Sequence, residues 1–292
     1  MRSNTGIERI VGIPLGACLM LMAACAEVQQ IAEDQARRSG NPQLAQAIQG
    51  TGTLISGLLP IGAEEEQSLG ASIALQVVAR SGGLYEQPDL TRYVNLVGRA
   101  VAATSDRPNL DYHFAVLNDQ SINAFATPGG YIFVTRGLLK QVRNEAEFAA
   151  VLGHEIGHIS QKHMLEIIQR TKQIAGISQA GLAYANQDPR AFKQLIDTVT
   201  KKLLDEGYDQ GKEIEADRLG VIFAVRVGYD ATAYLGLLNR LRGLKGDDRT
   251  LFKTHPNYSA RIAEVQNVIG SKGYTSTGVV LEDRFSQVSS KL

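Results

Sequence analysis

Two histidines and one glutamate stand within a short apolar stretch, Val151–His158, which reads Val-Leu-Gly-His-Glu-Ile-Gly-His. In a helix, residues four apart lie on the same face, so His154 and His158 can direct both imidazole rings at one metal ion. Glu155 is one position round from His154, where it can reach a water on that ion without binding the ion itself. The pattern is typical of half a catalytic zinc site with a general base, although three such residues can also fall into register by chance.

A catalytic zinc of this type needs a third protein ligand and keeps a fourth position open for water or substrate. The metzincin arrangement places its third histidine six residues after the second, where this chain has Met164, and that class is therefore excluded. His163 follows His158 by five residues, about 140° round a continuous helix, and we expect it at the surface.

The remaining candidates lie downstream, in a second helical stretch that contains Glu213, Glu215 and Asp217. Glu213 and Asp217 share one face of that helix, whereas Glu215 faces away. We predict that Glu213 is the third metal ligand and that Asp217 accepts the free ring N–H of a ligating histidine, which fixes the histidine tautomer. The alternative for Glu213 and Asp217 is a solvated, charged helix face.

Several further motifs, in a fixed order along the chain, carry a likeness to a known family. Ser121–Gly130 precedes the first motif, Glu213–Arg218 contains the second, and Thr254–Pro256 and Arg261 lie beyond it. Together these motifs resemble the M48 family of gluzincin zinc metallopeptidases, and specifically its bacterial periplasmic and lipoprotein branch. The likeness runs from about Glu64 to about Gly270.

The resemblance implies a zinc-dependent endopeptidase with one Zn²⁺ per chain, held by His154, His158 and Glu213. Glu155 would accept a proton from the attacking water and pass it to the leaving amine. His255 matches a family position that either stabilises the oxyanion or occupies the open metal position in a self-inhibited state; the alternative is a helix cap or a packing residue. The expected substrates are misfolded or misassembled envelope proteins. A second hypothesis is an envelope-protein chaperone or binding module with a closed, self-inhibited zinc site.

The surrounding sequence predicts an α+β fold that is mostly helical and zincin-like, with a small, mainly antiparallel three-stranded sheet before the metal helix. The strands are predicted at Tyr112–Leu117, Ser121–Ala126 and Tyr131–Thr135, which are rich in β-branched and aromatic residues. The metal helix is predicted at Asn144–Lys162 and is apolar over most of its circumference, so it should be buried.

The sheet suggests a way to bind substrate, because an extended peptide can add to a free sheet edge through main-chain hydrogen bonds. By resemblance, the candidate edge consists of Asn123, Ala124, Phe125 and Ala126. The alternative is that this segment is a buried strand with no role in binding.

The N-terminus has the pattern of an export signal. Met1–Arg9 carries two arginines, and Ile10–Ala24 is an uncharged apolar run that is shorter than the roughly 20 residues of a membrane span. We therefore predict a signal peptide at residues 1–24 and a periplasmic location.

Both cysteines of the chain, Cys18 and Cys25, lie in or directly after this signal. Leu-Met-Ala-Ala-Cys, ending at Cys25, resembles the bacterial lipobox, so Cys25 is the predicted lipidation site and the chain would bind a membrane surface through its lipid anchor. Ala26 after this cysteine favours the outer membrane, by resemblance to sorted lipoproteins. The alternatives are lipidation at Cys18 and an ordinary signal peptide with an incidental cysteine.

The rest of the chain divides into a predicted tether at residues 25–63, a peptidase domain at 64–272 and a C-terminal tail at 273–292 without a strong pattern. The sequence predicts no helical repeats after the peptidase region, where some family members carry them. Thirty acidic and thirty basic residues balance, and no basic cluster forms a stripe, which excludes nucleic acid as a partner. Polypeptides and a membrane surface are the expected partners, and the oligomeric state is left open.

Overall fold

Helices make up most of the computed structural model, which describes residues 61–175, 188–245, 255, 257–290 and 292. All of these except Ala175 belong to one compact unit. The predicted signal peptide, Cys18, Cys25 and nearly all of the predicted tether lie outside the described residues. Among the helices that are described, none is both long enough and apolar enough to cross a membrane.

The secondary structure confirms a mostly helical domain with a small sheet. In chain order the helices are α1 (Ala63–Arg80), α2 (Pro88–Ala102), α3 (Arg136–Leu139), α4 (Glu145–Ser160), α5 (His163–Ala175), α6 (Pro189–Lys201), α7 (Gln210–Val227), α8 (Ala233–Lys245), α9 (Tyr258–Lys272) and α10 (Glu282–Ser289), and the strands are β1 (His113–Leu117), β2 (Ala124–Thr127) and β3 (Tyr131–Thr135).

The sheet is mixed, and the mainly antiparallel pairing expected from the sequence holds for one of its two strand pairs. The strand order is β1-β3-β2, with β3 parallel to β1 and antiparallel to β2. A tight turn at Pro128–Gly130 joins β2 to β3, and both Gly129 and Gly130 have the positive φ that L side chains rarely adopt. Since β2 does not pair with β1, it becomes an edge strand.

Helix α4, which carries the first motif, is buried along nearly its whole length. The Asn144 side chain accepts a hydrogen bond from the Glu147 N–H and caps the helix, and Glu145 and Glu147 place negative charge in its first turn. The helix ends at Ser160, two residues before the predicted end, because Lys162 has a φ of 58° and turns the chain into α5.

The C-terminal residues 273–292, for which the sequence predicts a tail without a strong pattern, include α10, which packs on the core. The Phe285 ring is buried and lies 6.0 Å from the Phe148 ring of α4. Arg284 forms an ion pair with Glu145, a fully buried carboxylate that also accepts a hydrogen bond from Tyr229. This segment therefore anchors the start of the helix that carries the site.

Candidate metal centre

Small residues set the position of the two helices that carry both motifs. Helices α4 and α7 cross where Gly153 and Gly157 face Ala216 and Gly220. A Cβ atom at Gly153 would lie 2.8 Å from the Gly220 carbonyl oxygen, and one at Gly157 would lie 3.3 Å from the Ala216 Cα. The two backbones are therefore in direct contact, which brings Glu213, one turn before Ala216, against the imidazoles of α4.

Three of the predicted residues meet at this crossing. The Nε2 atoms of His154 and His158 are 3.1 Å apart. The Glu213 carboxylate places one oxygen 3.6 Å from the His154 Nε2 and the other 3.5 Å from the His158 Nε2. All three side chains are at most 3% exposed.

His255, which precedes α9, joins the same cluster. Its Nδ1 is 2.9 Å from Glu213 Oε2 and 3.3 Å from His154 Nε2, so four potential ligand atoms face one another. Its Nε2 is 3.7 Å from the carboxylate of Glu155. Glu155 itself is buried beside the cluster and contributes no atom to it.

The donor set and its spacing fit a zinc ion. Atoms about 2.0–2.1 Å from a tetrahedral ion lie roughly 3.3–3.4 Å from one another. Five of the separations between ligand atoms of this cluster lie between 2.9 and 3.6 Å and bracket that value, and all four atoms lie within 4.8 Å of one another. Two or three imidazoles with one carboxylate is also a ligand chemistry that zinc favours.

Asp217 lies behind His154, as its spacing from Glu213 predicts. One carboxylate oxygen accepts a hydrogen bond from the His154 Nδ1 at 2.8 Å and another from the Tyr234 hydroxyl at 2.9 Å. Arg261 donates to Asp217 from Nε and Nη2, both at 2.7 Å. Arg261 belongs to the motifs that resemble the family, but the sequence assigns it no function. No local sequence pattern distinguishes Tyr234.

The expectation that His163 lies at the surface is wrong. Because the chain turns at Lys162, the His163 ring folds back on α4 and is 3% exposed. Its Nδ1 is 2.8 Å from the Nδ1 of His158, and its Nε2 is 3.2 Å from the Glu215 carboxylate. On the other flank, the Tyr208 ring stacks on His158 with a centroid distance of 4.1 Å, a contact that no sequence motif signals.

Burial acts in opposite directions on the bases and acids of the cluster. It lowers the pKa of His158 to about 3, so the imidazole is neutral and can offer a lone pair to a metal. It raises the pKa of the Glu155 carboxyl, although the nearby charges of His255 and His154 partly offset this effect.

Neighbouring charges overcome burial at the other three groups. Burial alone would raise the pKa of Glu213, but the charge of His255 and the hydrogen bond from its Nδ1 hold that pKa well below its usual range. Burial likewise opposes the ionisation of Asp217, yet the Arg261 guanidinium holds the pKa of that carboxyl below its usual value. Burial lowers the pKa of His255, but the charge of Glu213, the hydrogen bond to Glu213 and the charge of Glu155 together outweigh burial and raise the pKa to about 9.

The edge strand β2 passes directly beside the cluster. Asn123 accepts a hydrogen bond from the Thr135 N–H, so the alternation along a strand turns the main-chain groups of Ala124 and Ala126 away from β3. The His255 Nε2 lies 3.4 Å from the Ala124 carbonyl oxygen on this outer side. The side chains of β2 are all buried, so the strand is both an edge strand and part of the core.

A mainly apolar cavity adjoins Glu155 and His255 at the same edge. Its apolar lining comes from α3, α4, α8 and the segment before β2, namely Leu138, Val151, Leu237, Leu238, Leu241 and Ile122. The cluster is therefore bordered by an outward-facing strand edge and by an apolar cavity.

Comparisons with known proteins agree with this arrangement. Residues 88–269 match the sequence profile of peptidase family M48. The chain is 29% identical over 225 residues to the beta-barrel assembly-enhancing protease of Yersinia pestis. The aligned region covers 70% of this chain and 44% of that protein. The protein of the same name from Escherichia coli (strain K12) is 28% identical over 233 residues, or 76% of this chain and 47% of that protein.

A mitochondrial relative is also similar. The mitochondrial metalloendopeptidase OMA1 of Arabidopsis thaliana is 31% identical over 164 residues, which are 56% of this chain and 33% of that protein. The chain spans about half the length of the bacterial relatives it matches. The family profile covers more than half of the chain and includes all four clustered residues, and the chain therefore belongs to peptidase family M48.

Proposed function

We propose that this chain is a zinc-dependent endopeptidase of the bacterial cell envelope that cleaves misfolded or misassembled envelope proteins. The observation that carries the proposal is the meeting of His154, His158 and Glu213, whose ligand atoms lie 3.1–3.6 Å apart with Glu155 beside them. We assign these three residues as zinc ligands, and Glu155 as the general base.

The chemistry follows from this division of roles. A bound zinc ion would lower the pKa of water to about 7 and polarise a peptide carbonyl. Glu155 takes the proton of the attacking water and then donates it to the amine nitrogen that leaves. Its Oε2 has no hydrogen-bond partner among the described residues, so this oxygen is available to the water. Burial raises the pKa of the Glu155 carboxyl, which makes it a stronger proton acceptor than an exposed glutamate.

His255 fits the fourth position around the same ion. Its Nδ1 is 2.9 Å from Glu213 and 3.3 Å from His154, similar to the separations among the other three residues. In this arrangement the His255 ring also lies over the outer edge of β2 at Ala124. We infer that His255 closes the site at rest, and that it must move before a peptide can pair with β2 along Asn123–Ala126.

Removal of the His255 ring should therefore strengthen peptide binding. In a Glu155→Gln background, which holds substrate without cleaving it, we expect His255→Ala to lower the Kd of an unfolded peptide by about tenfold, the equivalent of roughly 1.4 kcal/mol. Fluorescence anisotropy of a labelled peptide measures this directly. An unchanged or weaker affinity would show that His255 does not cover the binding edge.

A modified peptide provides the control for binding at the β2 edge. Main-chain hydrogen bonds to an edge strand alternate along the peptide, so N-methylation should weaken binding at every second position near the site and have little effect between them. A uniform response to N-methylation would argue against strand pairing, whatever the behaviour of the His255 variant. The apolar cavity beside Glu155 would accept an apolar side chain of the peptide, a type that unfolded proteins expose.

The envelope location rests on the N-terminal sequence and on the relatives. We propose a periplasmic protein that is anchored through a lipid on Cys25 to the outer membrane, with a single acylated cysteine joined by a tether to the peptidase domain. Incorporation of a labelled fatty acid by the wild type and by Cys18→Ala, but not by Cys25→Ala, tests this assignment.

The function itself is tested with a denatured outer-membrane protein as substrate. We expect cleavage by the zinc-loaded chain, loss of cleavage after chelation and recovery when zinc is restored. Tight binding of the denatured protein without cleavage under all three conditions would contradict the proposal and would favour a chaperone with a closed zinc site.

A further inference from the structure

A chain of two imidazoles and one carboxylate lies behind the second histidine of the cluster. The Nδ1 of His158 is 2.8 Å from the Nδ1 of His163, and the Nε2 of His163 is 3.2 Å from Glu215. The His158 and His163 rings meet edge to face, at an interplanar angle of 68°. Both rings are buried, whereas the Glu215 side chain is 38% exposed.

The proton positions on His158 and His163 follow from the carboxylate of Glu215, which ends this hydrogen-bonded series. An ionised carboxylate can only accept hydrogen bonds, so the His163 Nε2 carries a proton and donates it to Glu215. A neutral imidazole has one N–H, which leaves the His163 Nδ1 as an acceptor for the Nδ1–H of His158. The His158 Nε2 is then unprotonated, and its lone pair faces Glu213 and His154.

The opposite proton order is less favourable. It would direct an N–H of His158 at Glu213 across 3.5 Å, which is longer than a normal N–H···O hydrogen bond. It would also leave the Glu215 carboxylate facing a nitrogen lone pair of His163 at 3.2 Å. Both contacts favour the order in which His158 donates to His163.

We propose that His163, supported by Glu215, is a positioning residue that fixes the tautomer and ring orientation of His158 for metal binding. The inference rests on the proposed assignment of His158 as a zinc ligand. His154 receives the equivalent support from Asp217 through a direct contact of 2.8 Å. For His158 the His163 imidazole lies between the ligand and the carboxylate. The hydrogen bonds that orient His158 therefore end at Glu215, a partly exposed residue.

The first test measures zinc affinity by competition with a chromophoric chelator. Loss of such a partner typically weakens metal binding by about 10–100-fold, and we expect this loss for His163→Leu, which cannot accept a hydrogen bond. His163→Asn retains an acceptor oxygen and should recover part of the affinity. The control is His113→Leu, because His113 is half-exposed on β1 and pairs with Asp111, away from the cluster; its zinc affinity should be unchanged.

The second test reads the tautomer directly and requires neither zinc nor activity. In the metal-free wild type, ¹⁵N NMR should show His158 protonated at Nδ1, and in His163→Leu the signal should shift towards the Nε2–H form. Glu215→Leu provides a variant at a partly exposed position, where the packing of the core is little affected. It should shift the tautomer in the same direction, with a smaller loss of zinc affinity.

The two tests separate this inference from the proposed function. If the wild type binds no zinc, the proposed function fails, and the tautomer alone decides the role of His163. If His163→Leu keeps both the Nδ1–H tautomer of His158 and the zinc affinity of the wild type, the positioning role is overturned. Equal losses in His163→Leu and His163→Asn would also contradict it, because general damage to packing makes no distinction between them.

Discussion

Glu155→Gln should lower kcat for peptide hydrolysis by about 10²–10⁴-fold while the zinc content stays at one ion per chain. Glutamine has nearly the same shape as glutamate but cannot accept the proton of the attacking water. Glu155 supplies none of the four clustered ligand atoms, so the metal should be retained. The variant should also fold as well as the wild type, because it replaces a carboxylate that is 2% exposed with a neutral group.

The measurement pairs a fluorogenic peptide assay with elemental analysis of the same preparation. Glu166→Gln is the matched control, since Glu166 lies on α5 with its side chain 69% exposed and should have wild-type kinetics. A Glu155→Gln variant that cleaves at the wild-type rate would remove Glu155 from the mechanism. A variant that is inactive because it has lost zinc would instead move Glu155 into the ligand set.

Asp217→Ala should have the largest effect on stability, with a loss of about 3–5 kcal/mol in the free energy of unfolding. The substitution removes the carboxylate that neutralises the charge of Arg261 and accepts two of its hydrogen bonds. Because Arg261 is buried, water cannot solvate the guanidinium in place of that carboxylate. It also frees the His154 ring, so zinc affinity should fall by about 10–100-fold. Urea unfolding of the metal-free protein and chelator competition measure the two effects separately.

A double variant separates the two roles of Asp217. In Asp217→Ala with Arg261→Met, the buried charge is gone, so much of the lost unfolding free energy should return. The support for His154 is still missing, and zinc affinity should stay low. If the double variant recovered wild-type zinc affinity, the effect of Asp217 on the metal would arise from general destabilisation. Strictly additive losses of stability would show that Asp217 and Arg261 are not coupled.

Much of the site could be predicted because it depends on spacing within single helices. The pairs His154 with His158 and Glu213 with Asp217 are each four residues apart, and helix geometry alone places both members of a pair on one face. How closely the two helices approach depends on Gly153, Gly157 and Gly220. Their small-residue spacing is visible in the sequence, but it does not reveal which helix each of them contacts.

The failures of prediction share a different cause. The position of His163 depends on a positive φ at Lys162, and a lysine gives no local signal for that conformation. Helix α10 buries a single large side chain, Phe285, which is too few for a periodic pattern. The parallel pairing of β1 with β3 depends on where the chain places β2, and such long-range choices leave no mark on the strands themselves.

The glycine crossing has a mechanical consequence for metal selectivity. Where side chains separate two helices, rotamer changes can absorb a shift of several tenths of an ångström. At Gly153 and Gly220 the two main chains are in direct contact, so no side chain is present to adjust. The distance between the two imidazoles on α4 and the facing carboxylate on α7 is therefore nearly fixed. A fixed distance favours ions with short bonds to nitrogen and oxygen, such as zinc, over larger ions such as calcium. Calcium bonds of about 2.3–2.6 Å would require the two helices to move apart.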